Sequence, residues 1–209
     1  MSDDELRAFR ATKIAELRRN VRRLKDRPAI FSKSYDQIFF CTLYYTPRES
    51  GFTARRGFDV TLVRARGLRG RKYARDFLRA VKKEGFGRLR EPVDGCNYLR
   101  YDGGGRYAFA RAPLGRHGEV LIPRRSCAIS RHNPILKQHD KLTIKSETVN
   151  EQTGSNEWLV SDTGAGISPL QIDLYWGEDE PRGAVGRQRA RPAGAWMEYA
   201  FNTRVLVDR

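Results

Sequence analysis

Three cysteines, three histidines and two methionines are all that the 209 residues hold of the softer metal ligands. Cys41, Cys96 and Cys127 form no C-x-x-C, and no histidine stands at ligand spacing from them, which argues against a zinc site. Their odd number argues against a complete disulfide framework. Cys41 and Cys127 lie in apolar runs and read as buried thiols that act as small hydrophobes. No stretch reaches the ~20 apolar residues of a membrane-spanning helix. The opening M-S-D-D-E-L lacks the apolar core of a secretory signal, so no signal peptide is visible. The glycine run Gly103–Gly105 is followed by no G-K-[S/T] and is a turn, not a phosphate loop. No repeat of solenoid or propeller period is evident.

Acidic residues are also short. Twenty-five Asp and Glu face 40 Lys and Arg, leaving a formal net charge of +15. A surface so basic implies an anionic partner: nucleic acid, anionic lipid, or a bacterial wall with its acidic peptides and polymers. With 209 residues, 39% of them hydrophobic and 11% aromatic, the chain is long enough for one sizeable core or a core domain with a smaller attachment.

Residues 1–34 read as a basic amphipathic helix and a connector. Ser2 and Glu5 make a capping box, and Leu6, Phe9, Ile14, Leu17, Val21 and Leu24 form a stripe at helical spacing. From Gln37 the pattern turns to strand: Ile38 to Tyr45 is a nearly unbroken β-branched and aromatic run, ended at Thr46–Gly51. A short strand is expected within Phe58–Arg66 and a helix over Lys72–Glu84, with Tyr73, Phe77, Leu78 and Val81 on one face. Asp94–Arg106 reads as a loop or hairpin. Short strands follow near Tyr107–Arg111, Gly118–Ile122, Cys127–Ser130 and Lys141–Lys145, the rhythm of a small barrel. Glu147–Asn156 reads as a surface hairpin tip, Glu178–Pro192 as a charged Gly- and Arg-rich stretch, and Ala195–Val207 as a closing strand or two.

The organising stretch is V-S-D-T-G-A-G-I-S-P-L-Q-I-D-L-Y-W-G, Val160 to Gly177. Asp162 ends one apolar run and Asp173 sits inside another, with glycine, serine and proline between them. Aspartate is depleted in strands, so Asp173 between Ile172 and Leu174 reads as a carboxylate aimed at something. Paired carboxylates suit acid/base work on a glycosidic bond; spacing alone equally fits a turn and a solvated strand residue.

The string D-T-G-A-G-I-S-P-L-Q-I-D-L-Y-W-G resembles the signature of the three-aspartate domain, shared with the membrane-bound lytic transglycosylase A family. Three more patches resemble the same families in the same order: T-L-Y-Y-T-P-R-E-S-G-F at Thr42–Phe52, F-L-R-A-V-K-K-E-G-F-G-R-L at Phe77–Leu89, and L-I-P-R-R-S-C-A-I-S at Leu121–Ser130. The resemblance implies a mainly β protein with flanking helices. Its core would be a double-psi β-barrel over 35–209, with a helical insertion around 72–84, preceded by the N-terminal helix. It also implies a peptidoglycan lytic transglycosylase that cuts the β-1,4 bond between N-acetylmuramic acid and N-acetylglucosamine and leaves a 1,6-anhydro sugar. Asp173 matches the acid/base and Asp162 the supporting aspartate, whose charge would keep the acid protonated near neutral pH. Tyr45, Glu49, Glu84, Ser130, Thr163 and Trp176 are the candidate substrate contacts. No metal or cofactor is called for.

Two departures stand out. Ser130 occupies the position of the family's first aspartate, and the family's G-G-A-I-K-G is here Gly164-Ala165-Gly166-Ile167-Ser168-Pro169. Two other classes therefore stay open. One is a non-catalytic module that binds peptidoglycan or another polysaccharide. The other, ranked third, is a nucleic-acid binder, suggested by the charge and by Arg interleaved with aromatics over Tyr98–Tyr107, but without a helix-turn-helix, RRM or zinc-finger pattern. A lytic enzyme with no visible signal would be made in the cytoplasm and act at the wall, as a phage lysis or tail component or as a secreted effector. Delivery machinery or an immunity protein would then be among its partners, beside the glycan strands.

Overall fold

The computed structural model describes Thr12, residues 34–179 and residues 203–208. The expected N-terminal helix, the charged stretch after 179 and most of Ala195–Val207 lie outside the described residues. The described chain is mainly strand and sorts into two compact units, one formed by 34–43, Arg124–Tyr175 and 203–208, the other by Tyr44–Pro123 and 176–179.

The first unit holds a six-stranded barrel. In chain order its strands are β1 (Ser34–Pro47, which runs on into the other unit), β7 (Ser126–Ser130), β8 (Lys141–Lys145), β9 (Glu157–Gly164), β10 (Gln171–Asp179) and β11 (Thr203–Asp208). Their order is β1-β10-β7-β9-β8-β11, and β11 pairs back onto β1. β7 runs antiparallel to β10 and parallel to β9. All five β7 residues are buried, as expected of a central strand covered on both faces. Ile129, Ile144, Trp158, Val160, Ile172, Leu174 and Val205 are each at most 3% exposed and make the core of this unit.

Glu147–Thr153 is a short helix, α2, and not a hairpin tip. Ser146 caps it, its Oγ accepting from Val149 N at 3.3 Å, and Gly154 closes it in the left-handed conformation at φ 69°. Only Val149 and Thr153 of its described side chains are buried, too few to write a helical stripe into the sequence.

The second unit is built on helix α1 (Arg75–Glu84) and a three-stranded meander, β4 (Phe86–Val93), β5 (Cys96–Gly103) and β6 (Arg106–Ala110). Phe77, Leu78 and Val81 of α1 pack with Phe52, Leu68, Tyr73, Leu89, Leu99 and Tyr107 in its core. Val93 pairs with Cys96 across Asp94 and Gly95, both at positive φ (50° and 74°), the conformation a two-residue Asp-Gly hairpin turn requires. The stretch read as loop or hairpin is thus strand through most of its length. The expected helix begins three residues late, because Lys72–Ala74 forms β3 and pairs with β2 (Leu62–Arg64). Gly118–Ile122 forms only a single bridge, Leu114 to Val120.

Candidate active site

The barrel brings Asp162 and Asp173 into one row. Asp173 on β10 stands opposite Ala128 on β7, and Ala128 stands beside Asp162 on β9. Partners in register share a face of the sheet, so the two carboxylates lie on one side with only the methyl group of Ala128 between their strands. Two ladder spacings put their backbones on the order of 10 Å apart. β9 and β10 are therefore not a strand–loop–strand hairpin. They flank β7, which enters from thirty residues earlier in the sequence.

Asp173 is half-buried and held from β1. Thr42 Oγ1 donates to Asp173 Oδ1 at 2.5 Å, and Gln171 Nε2 donates to Thr42 Oγ1 at 2.8 Å. Thr42 is 7% exposed, so this relay lies in a largely desolvated place where such bonds are stronger than in water. With Gln171 occupying a lone pair of the hydroxyl, the proton of Thr42 is directed at the carboxylate. Gln171 also accepts Ser168 N at 3.0 Å, which ties the turn before β10 to the relay.

Asp162 is half-buried too, and its Oδ1 accepts Thr163 N at 2.8 Å. Behind the row lie the two buried free cysteines. Burial pushes the Cys41 thiol up to about 12, and the charge of Asp173 adds to that. Cys127 is raised as well, first by burial and then by Cys41, Asp173 and Asp162. One buried sulfur thus feels both carboxylates. Ser130 pairs with Gly164 at the end of β7, is 4% exposed, and its Oγ accepts His132 N at 3.2 Å.

Tyr45, Glu49, Glu84 and Trp176 belong to the second unit. Tyr45 is 5% exposed, so within the tyrosine pair Tyr44 is the ring that keeps partial exposure. Glu49 Oε2 accepts Arg90 N at 2.9 Å, and burial raises its carboxyl although that bond opposes the shift. Glu84 pairs with Lys83 at 3.2 Å, and Trp176 is half-buried on β10. Thr42 and Gln171 are the contributors that the sequence did not single out. Their only signals were a hydroxyl inside the apolar run of β1 and a polar residue two positions before Asp173, on the same strand face. A depression of about 350 Å³ on β8 and β9, lined by Arg125, Lys141, Glu157 and Trp158 among others, contains neither aspartate. Among the described residues no three His, Cys, Asp or Glu side chains are grouped to hold a metal ion.

No protein-family model and no curated protein matches the chain. Solved structures do. A membrane-bound lytic murein transglycosylase from Agrobacterium tumefaciens superposes with a TM-score of 0.51 at 15% identity, over 85% of this chain and 74% of that one. MltA from Escherichia coli with bound chitohexaose gives 0.49 at 14% identity over 82% and 71%, and MltA from Neisseria gonorrhoeae 0.45 at 16% over 84% and 72%. The chain resembles the lytic murein transglycosylase A family in fold, as it does in its four sequence patches.

Proposed function

We propose that this chain is a peptidoglycan lytic transglycosylase with Asp173 as its acid/base. The observation that carries the reading is the Gln171–Thr42–Asp173 relay in a row with Asp162, because it orients one strand-borne carboxylate from a partner 131 residues away. In the reaction, protonated Asp173 gives its proton to the glycosidic oxygen between N-acetylmuramic acid and N-acetylglucosamine, and the C1–O bond breaks. The resulting carboxylate takes the proton of the muramic C6 hydroxyl as that oxygen bonds to C1, closing the 1,6-anhydro ring and restoring the acid. One carboxyl group serves both steps, so no water enters. Thr42 and Gln171 act as positioning residues, and Asp162 as the supporting charge. The barrel is taken to be the double-psi type of the resembling family.

Ser130 favours a second reading. It is buried and bonded to its own turn where the family carries a carboxylate, which suits a module that binds the glycan without cutting it. Digestion of purified peptidoglycan by wild type and Asp173→Asn, with products read by mass spectrometry, separates the two. Anhydro-muropeptides from wild type alone support the transglycosylase. Reducing-end products mean a hydrolase, and co-sedimentation of both proteins with uncut wall means the binding module.

A further inference from the structure

The basic charge is not spread evenly along the chain. Residues 44–123 contain 18 Lys and Arg against 8 Asp and Glu, whereas 124–175 contain 6 of each. Most of the net +15 therefore belongs to the second unit, and none of it to 124–175, where the aspartates lie.

Within that unit, like charges face each other across strands. Arg64 on β2 stands opposite Lys72 on β3, and Arg66 bridges to Arg106 at the start of β6. Such pairs are destabilising by themselves. Some arginines of the unit are neutralised, Arg69 by Asp94, Arg75 by Asp59 and Arg100 by Asp102. Arg64, Arg66, Lys72 and Arg106 are all exposed and have no acidic partner among the described residues. Alternation along β2 decides which way they face. Val63 and Ala65 pack on the core, so Leu62, Arg64 and Arg66 share the solvated face. Leu62 is 64% exposed, the most exposed large hydrophobic residue described.

We propose that this face docks on an anionic lipid bilayer. Four unneutralised cations attract the phosphate headgroups, and Leu62 beside them enters the headgroup–acyl boundary. A soluble polyanion offers nothing to an exposed leucine. Two partly exposed rings of the unit already carry a cation over one face, Phe109 under Arg69 at 5.8 Å and Tyr101 under Lys82 at 5.9 Å.

The test is co-sedimentation of the full chain with vesicles of phosphatidylglycerol and phosphatidylcholine, against phosphatidylcholine alone. Because other cations are present, the readout is the difference between variants, each confirmed as folded by its thermal melt. Each cation removed near the surface should weaken binding about fivefold, so Arg64→Gln with Arg66→Gln should lose roughly 25-fold. Lys141→Gln with Lys145→Gln, the same charge change on the other unit, should lose far less. Leu62→Ser should weaken binding several-fold at unchanged charge. No binding to the anionic vesicles, or equal losses from the two charge-matched doubles, overturns the proposal. So does an unaffected Leu62→Ser variant together with duplex DNA binding that falls with Arg64 and Arg66, which would make the partner a nucleic acid.

Discussion

Replacing Thr42 by valine keeps the shape of a side chain that is 7% exposed and removes only its hydroxyl. Two bonds are lost. The one to Asp173 contributes about 1 kcal/mol with the carboxyl protonated and up to about 3 kcal/mol with it ionised, and the one from Gln171 about 1 kcal/mol. Together they predict a loss of roughly 2–4 kcal/mol, or a melting point lower by roughly 5–15 °C for a chain of this size. The decisive form is a double-mutant cycle with Asp173→Ala, which removes the acceptor, followed by urea unfolding. If Thr42 acts through Asp173, the two changes should be coupled by at least about 1 kcal/mol. Single effects that add within about 0.3 kcal/mol would refute the relay as an energetic unit, however short the contact. In the peptidoglycan digestion, Thr42→Val should slow cleavage without abolishing it, whereas Asp173→Asn abolishes it.

Gly67→Ala should destabilise the second unit by upwards of about 3 kcal/mol, since its Cβ would sit 1.8 Å from the Tyr107 carbonyl oxygen at a φ of +89°. Gly70→Ala is the control: φ is +79° with nothing within 4 Å, so thermal melts should show only the left-handed backbone cost of about 1–2 kcal/mol. A thiol probe on the native protein should label Cys96 and spare buried Cys41 and Cys127 until unfolding, as peptide mapping of the adducts would show. The Cys41 thiol rises from 9.0 to about 12 on folding, so its contribution is complete below pH 9 and is lost as pH climbs from 9 to 12. Urea midpoints should fall over that window and recover partly in Cys41→Ala.

Legibility in the sequence followed the number of neighbours an element needs. The run Ile38–Tyr45 is strand whatever stands beside it, and a strand stands at Lys141–Lys145, where one was expected. The stripe of Phe77, Leu78 and Val81 announced α1. Lys72–Ala74 misled because Tyr73 also fits that stripe, and only pairing with Leu62–Arg64 makes those three residues strand. α2 buries only Val149 and Thr153 of its described side chains, so it writes no apolar period into the sequence and reads there as a polar hairpin tip.

For the candidate site, the sequence by itself determined that two aspartates end or interrupt apolar runs at a definite separation, and that a serine stands where the resembling family has a third. Their chemistry is local, since a carboxylate inside a strand is improbable wherever the strand goes. Which groups surround them was decided by tertiary structure alone. The strand between the aspartates is β7, and the hydroxyl aimed at Asp173 comes from β1, 131 residues earlier. The concentration of cations on one unit likewise needed the fold, because charge can be counted along a chain but opposes itself only across paired strands. Strand order and register are collective properties of the barrel, fixed when many apolar faces are buried together, and no window of sequence contains them.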